Sequence, residues 1–316
     1  MRARTRIPIF FLLVMFCSIS NNGFASDLSQ IQLALAELID ISKAREDSNE
    51  TKLQRLKDVF SQTSSSIQNP GTVETNDLRA IFSAAELVYN YVLTYGDKDT
   101  QLYLSSMQVT YAELRRRGVE RHGETLDILK SLIASRQWEQ ARALRANEFV
   151  DGRLVVPRLS SDSQLAADGP AALFLSTNED ELSLQNIAMD ARYRIIVVSG
   201  CRTSDKAAKS IDSNVLVRDA FIRGNAIWLA AASKELDLVE IRSWNRQFPR
   251  QKIAIAYDNS KWPGIDFSRV PTFYFYKDRQ LIFSHRGWPK DNSIPPEMLD
   301  ALHKMSLLTG KPEAGS

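Results

Sequence analysis

The hydrophobic period of this 316-residue chain changes once, near residue 147, and that change limits what the chain can fold into. Before it, apolar residues recur at three- and four-residue spacing. Leu28, Ile31, Leu35, Leu38 and Ile39 form one such set, and Leu53, Leu56, Val59 and Phe60 the next. That spacing paints one apolar stripe along an amphipathic helix. The same pattern predicts helices over 77–95, 100–116, 124–133 and 138–146, with 63–72 as a breaker loop rich in Ser and closed by Pro70-Gly71. Beyond the change, β-rich runs at 153–156, 172–175, 182–188, 193–198, 225–230, 252–257, 272–277 and 281–284 are interleaved with helical stretches at 206–211, 236–248 and 296–307. Residues 193–198 are almost continuously apolar, as expected of a strand covered on both faces. The expectation is a two-domain chain, with an all-α region over 26–150 and an α/β region over 151–310.

The ends read differently from the middle. Arg2, Arg4 and Arg6 precede the apolar run 9–16, which is too short for an ordinary membrane span, and Gly23-Phe24-Ala25 offers small residues at the two positions a signal peptidase reads. Residues 1–25 are therefore read as a signal peptide, with an uncleaved anchor as the alternative, and 311–316 as a flexible tail. Cys17 is a poor lipidation site because bulky Met15 and Phe16 precede it. The chain carries 40 basic and 38 acidic residues; removing the three leader arginines leaves 37 against 38, a net charge of −1. Without a concentrated basic patch, nucleic-acid binding is not expected. No second long apolar run follows, so no membrane association is expected after cleavage.

Cleavage also leaves Cys201 as the sole cysteine, which rules out an intramolecular disulfide in the mature chain. Cys201 sits just past the strand-like run 193–198. Ser204 and Asp205 after it are candidate N-caps for the helix at 206–211. Val270-Pro271-Thr272 opens the strand at 272–277, and a hairpin and a last helix follow. His122, His285 and His303 are scattered, and no Gly-rich phosphate loop is present, so no metal or cofactor is expected. His285 to Trp288 reads as a surface turn and Phe273 to Tyr276 as a sheet strand.

A cysteine at a strand-to-helix turn, with Val-Pro-Thr ahead of a terminal hairpin, resembles the thioredoxin superfamily over about residues 153–308. The extra helix and strand before Val270 are most similar to its TlpA-like periplasmic branch. The resemblance implies a thioredoxin-like α/β domain and a helix N-terminus that favours the Cys201 thiolate. It further implies a cis Pro271, with Val270 meeting an extended substrate chain and Thr272 starting the next strand. Two departures matter. Ser204 stands where the resolving cysteine belongs, and Ile195 where thioredoxin has a buried carboxylate; Gly200 also replaces the usual tryptophan. Ser204 cannot attack a mixed disulfide, so two readings stay open: Cys201 as a monothiol nucleophile with Ser204 as its hydrogen-bonding neighbour, or Cys201 as a relict. The helical pair over 124–146, with Leu126, Leu129, Leu132, Trp138, Ala141 and Leu144, resembles one tetratricopeptide-like unit; no 34-residue repeat accompanies it, so a generic helical bundle is the broader reading. The resemblance places the protein in the periplasm, with protein clients or an envelope complex as partners. The helical region is the candidate surface for partners or for self-association.

Overall fold

The computed structural model describes residues 28–44, 47–95, 97–146, 154–160, 169–176, 181–200, 202–233 and 238–308. The leader 1–25, the boundary drawn between 150 and 151, Cys201 and the tail 311–316 lie outside the described residues.

The first half is helical, as its period requires. Helices α1 (Gln30–Lys43), α2 (Asn49–Ser61), α4 (Thr75–Thr94), α5 (Thr100–Arg116), α6 (His122–Ala134) and α7 (Trp138–Ala146) fall on the expected segments. The breaker loop is more ordered than expected, since it holds the one-turn helix α3 (Ser64–Ile67) and a 3₁₀ turn, Pro70–Thr72. Local chemistry starts these helices. Ser29 accepts the Gln32 N–H (3.1 Å) as the α1 N-cap, and its hydroxyl donates to Asp77 Oδ1 (2.6 Å) on α4. One side chain thus caps a helix and ties it to its neighbour. Helix α4 is the hub: it packs against α1, α2 and α5 and buries Leu78, Ile81, Phe82, Ala85, Val88 and Val92.

The tie that holds the 3₁₀ turn is ionic. Glu113 accepts from Arg116 and from Arg117 Nε (2.7 Å), while Arg117 NH2 donates to the carbonyls of Pro70 and Gly71. Hydrogen bonds from Arg116 and Arg117 hold the Glu113 carboxyl down at about 2, against an ordinary value of 4.5. A depressed folded-state value stabilises the fold above the ordinary pKa, and that contribution is lost as pH falls. The helical region is expected to weaken between about pH 4.5 and about pH 2. Glu113→Gln should flatten that part of the curve in circular-dichroism melts taken across the window.

The second half is built on an eight-stranded mixed sheet, ordered β1-β3-β2-β6-β5-β4-β7-β8. Its strands are β1 (Arg158–Leu159), β2 (Ala171–Leu175), β3 (Glu181–Asn186), β4 (Tyr193–Val198), β5 (Ile227–Ala230), β6 (Ile253–Ala256), β7 (Thr272–Lys277) and β8 (Gln280–Arg286). Strands β4, β5 and β6 run parallel, and β7 is antiparallel to β4. Helices α8 (Arg202–Ser213), α9 (Val215–Arg223), α10 (Leu238–Gln247) and α11 (Pro296–Lys304) complete the region.

Four sequence expectations need correction. The run 153–156 does not form a strand over its described residues, 154–156, and pairing starts only at Arg158. Helix α8 begins at Arg202, so Ser204 lies inside its first turn and is not its N-cap. Helix α9 was not anticipated: its cap is Asn214, whose side chain accepts from Val217 N–H, but its first turn exposes Val215 and Leu216, which blurs the apolar stripe. Val239, expected to pack, points outward on α10.

Side chains alternate along the strands and divide the core. Ile195, Val197, Trp228, Ile255, Phe273 and Phe275 face α8 to α11, whose buried apolar residues all join that cluster. Ile196, Val198, Leu229, Ala254, Tyr274 and Tyr276 face the other way, under Trp262 and Phe267 of the 258–271 connection. The chain steps from β4 to β5 to β6 in one direction. Right-handed crossovers that keep one direction lay their helices on one face. The other face is left to a loop, and that loop delivers Val270 and Pro271.

The helical layer meets the sheet at the C-terminal ends of β5 and β6. Asn259, buried, accepts the Ala232 N–H (2.8 Å) and donates to Leu93 O of α4 (2.9 Å) and to Ala232 O (3.2 Å). Arg136, in the α6–α7 turn at φ 62°, donates from NH2 to Ala256 O (2.6 Å) and from Nε to Tyr257 O (3.2 Å). A shared apolar core runs through both halves. Among the described residues, no helix is long and apolar enough to cross a membrane.

Candidate functional site

Strand β4 ends at Val198, which stands opposite Thr272 in the β4–β7 register. The residues just past β4 therefore lie beside those just before β7. This is how segments about 70 positions apart come together: Ser199, Gly200 and Arg202 line the same cleft as Val270. The cleft has a volume of about 320 Å³ and opens at the C-terminal ends of β4 and β5. Crevices at the carboxyl ends of parallel strands, and at the seam between two domains, are where α/β proteins place ligands. Thr94, from the end of α4, reaches its rim, so the helical region contributes to it as well.

Each wall has a local cause. On one side, the loop carrying Val270 is held by Asp266, whose N–H donates to Tyr274 Oη (2.9 Å) and whose Oδ1 accepts from Ser268 N–H (2.9 Å). Phe267 buries beneath it, and Thr272 Oγ1 donates to Arg269 O (2.8 Å). The Val270–Pro271 bond is cis; Pro271 is buried and its carbonyl accepts the Gly287 N–H (2.8 Å), while Val270 is 37% exposed at the mouth. On the other side, α10 presents Ile241 and Trp244. The Trp244 indole N–H donates to Gln251 O (2.7 Å), and its ring packs at 5.3 Å from Trp228 and 4.8 Å from Phe248, so it is a fixed apolar wall. Polar groups are few: the Arg202, Asp205 and Glu240 side chains, and the hydroxyls of Thr94 and Ser233.

Of the residues singled out from sequence, Val270 lines the cleft, while Pro271 and Thr272 follow it buried and outside the lining. Ser204 is fully buried in α8, outside that lining, and its Oγ accepts the Gly200 N–H (3.4 Å). Cys201 falls outside the described residues, between the cleft-lining Gly200 and Arg202.

Sequence reasoning missed Ser199. It reads as the polar end of an apolar run, and only the fold shows what it does. Its N–H donates to Leu229 O (2.9 Å), which continues the β4–β5 ladder, yet its Oγ is buried and has no partner among the described residues. A buried hydroxyl with no partner is destabilising. Ser199→Ala should leave the fold intact and raise its stability by about 1 kcal/mol, measured by urea denaturation. A loss of stability instead would mean that the hydroxyl is bonded within the fold. Ile241, Trp244 and Phe267 were also missed as cleft residues, because their apolar spacing speaks only of packing.

No protein-family model, curated protein or solved structure matches this chain.

Proposed function

We propose that the second half is a thioredoxin-like domain of an exported, periplasmic protein, and that it binds extended protein segments in the cleft beside Val270 and Pro271. The observation that carries this reading is the convergence of Gly200, Arg202 and Val270 on one cleft walled by Ile241, Trp244 and Phe267. A segment laid across it meets apolar walls for a side chain and a few polar groups for orientation, the general form of a specific binding site. The helical layer is the surface for a partner or a second copy.

The chemistry belongs to Cys201. Its thiolate attacks one sulfur of a client disulfide; that S–S bond breaks, the other client sulfur leaves as thiolate and takes a proton, and a mixed disulfide joins client to protein. Ser204 has no thiol with which to resolve the adduct, so an external thiol such as glutathione attacks the client sulfur of the mixed disulfide; the client leaves joined to that thiol by a new disulfide, and Cys201 is released as thiolate. The buried position of Ser204, with its oxygen on the Gly200 N–H, favours a second reading: a redox-silent scaffold that holds partners in an envelope assembly.

Nonreducing electrophoresis of the exported protein separates the two. Exchange predicts high-mass adducts that vanish with reductant and are absent from Cys201→Ser. The scaffold predicts none, with a Cys201 thiol that titrates like ordinary cysteine.

A further inference from the structure

A second cavity, of about 270 Å³, opens along the same sheet edge but shares no lining residue with the cleft. It lies between the α4–α5 and α6–α7 turns on one side and residues 257–260 after β6 on the other. Its unusual member is Arg136. Two of the guanidinium nitrogens are committed to the carbonyls of Ala256 and Tyr257, and the group lies 5.5 Å from the Trp138 ring centroid and 5.8 Å from that of Tyr257. The third nitrogen, Nη1, is buried, and among the described residues it has no partner and no carboxylate forms an ion pair with this cation. Burial is the largest influence on its pKa and outweighs the upward pull of Tyr257, Tyr89 and Asp258, leaving it at about 10. Buried charges are ordinarily paired, and an unpaired one is destabilising. The missing counter-ion is what the cavity can supply.

The rest of the lining narrows its chemistry. Asp97 and Asp258 share the wall with Arg136 and Lys98. Asp97 is already paired with Lys57 (2.6 Å), whereas Asp258 uses Oδ1 on the Ser260 N–H (2.9 Å) and hydroxyl, which leaves Oδ2 for a donor. A doubly charged anion is repelled by these two acids, but a single carboxylate that carries its own hydrogen-bond donor satisfies both ends. We propose that this interdomain cavity binds a small carboxylate bearing a hydroxyl or ammonium group, its carboxylate on Arg136 and its donor on Asp258.

Thermal melts of the full chain with lactate or alanine test this, with propionate and sodium sulfate at matched ionic strength as comparisons. Binding to the native state alone raises the melting temperature progressively with ligand concentration. Lactate or alanine should do so, propionate with about tenfold weaker affinity and sulfate not at all. Asp258→Asn should bring lactate and propionate together, and Arg136→Lys, which cannot reproduce the planar fork, should abolish the shift. If Arg136→Lys does not fold, the Asp258→Asn comparison still decides. No shift with lactate or alanine, an equal shift with sulfate, or an unchanged preference in Asp258→Asn would each overturn the assignment. None of these results bears on Cys201.

Discussion

Trp228→Ala should be the most damaging substitution in the sheet region, lowering stability by about 3–5 kcal/mol. Trp228 is the largest fully buried side chain, centred on β5, with Trp244 at 5.3 Å and Phe273 edge-on at 6.2 Å. Truncation leaves a cavity that these rings cannot fill without leaving their own contacts, and Trp244 is further tethered to Gln251. Trp228→Phe is the informative contrast. Among the described residues the buried indole N–H has no partner, so phenylalanine removes an unsatisfied donor along with part of the ring. Its loss should stay near about 1–2 kcal/mol, the deleted volume being partly offset by the removed orphan group. Urea titrations of the two variants give both numbers. Similar losses in both would place the energy in the indole nitrogen rather than in packing.

Asn259→Ala should come next, at about 1–3 kcal/mol, because it removes the side chain that satisfies three backbone groups where the two layers meet. The Ala232 N–H and the carbonyls of Ala232 and Leu93 all lose their partner, and the Leu93 bond spans 166 positions. The effect should concentrate at the seam: amide exchange at the end of α4 and after β5 should quicken more than in the middle of either layer. Asn259→Asp keeps the shape but replaces the donor with a carboxylate facing two carbonyl oxygens, so it should be at least as harmful. If alanine and aspartate variants keep native stability and slow exchange at the seam, the side chain does not latch the layers.

The candidate site was partly legible. A strand, a helix and a later Val-Pro-Thr can be read locally, and of the residues named from them Val270 lines the cleft. The cleft itself was not legible. Ile241 and Trp244 look like core positions, Ser199 looks like a strand end, and Thr94 belongs to the helical layer. Ser204 shows the same limit: its distance from Cys201 suggests a neighbour of the thiol, whereas its burial and its bond to Gly200 emerge only when α8 is docked on the sheet.

By itself the amino-acid sequence determined the two regimes of structure, because the spacing of apolar residues decides whether a helix or a strand can bury one face. It placed most helices of the first half and most strands of the second. Short-range signals were weaker where apolar residues stay exposed, as at Val215 and Leu216 of α9. Only the tertiary structure decided that the sheet helices share one face, that the 258–271 connection covers the other, and that Asn259 and Arg136 clasp the helical layer. Those outcomes depend on strand order and on contacts between positions more than 100 residues apart, and no local pattern encodes which distant partner a buried polar group will meet.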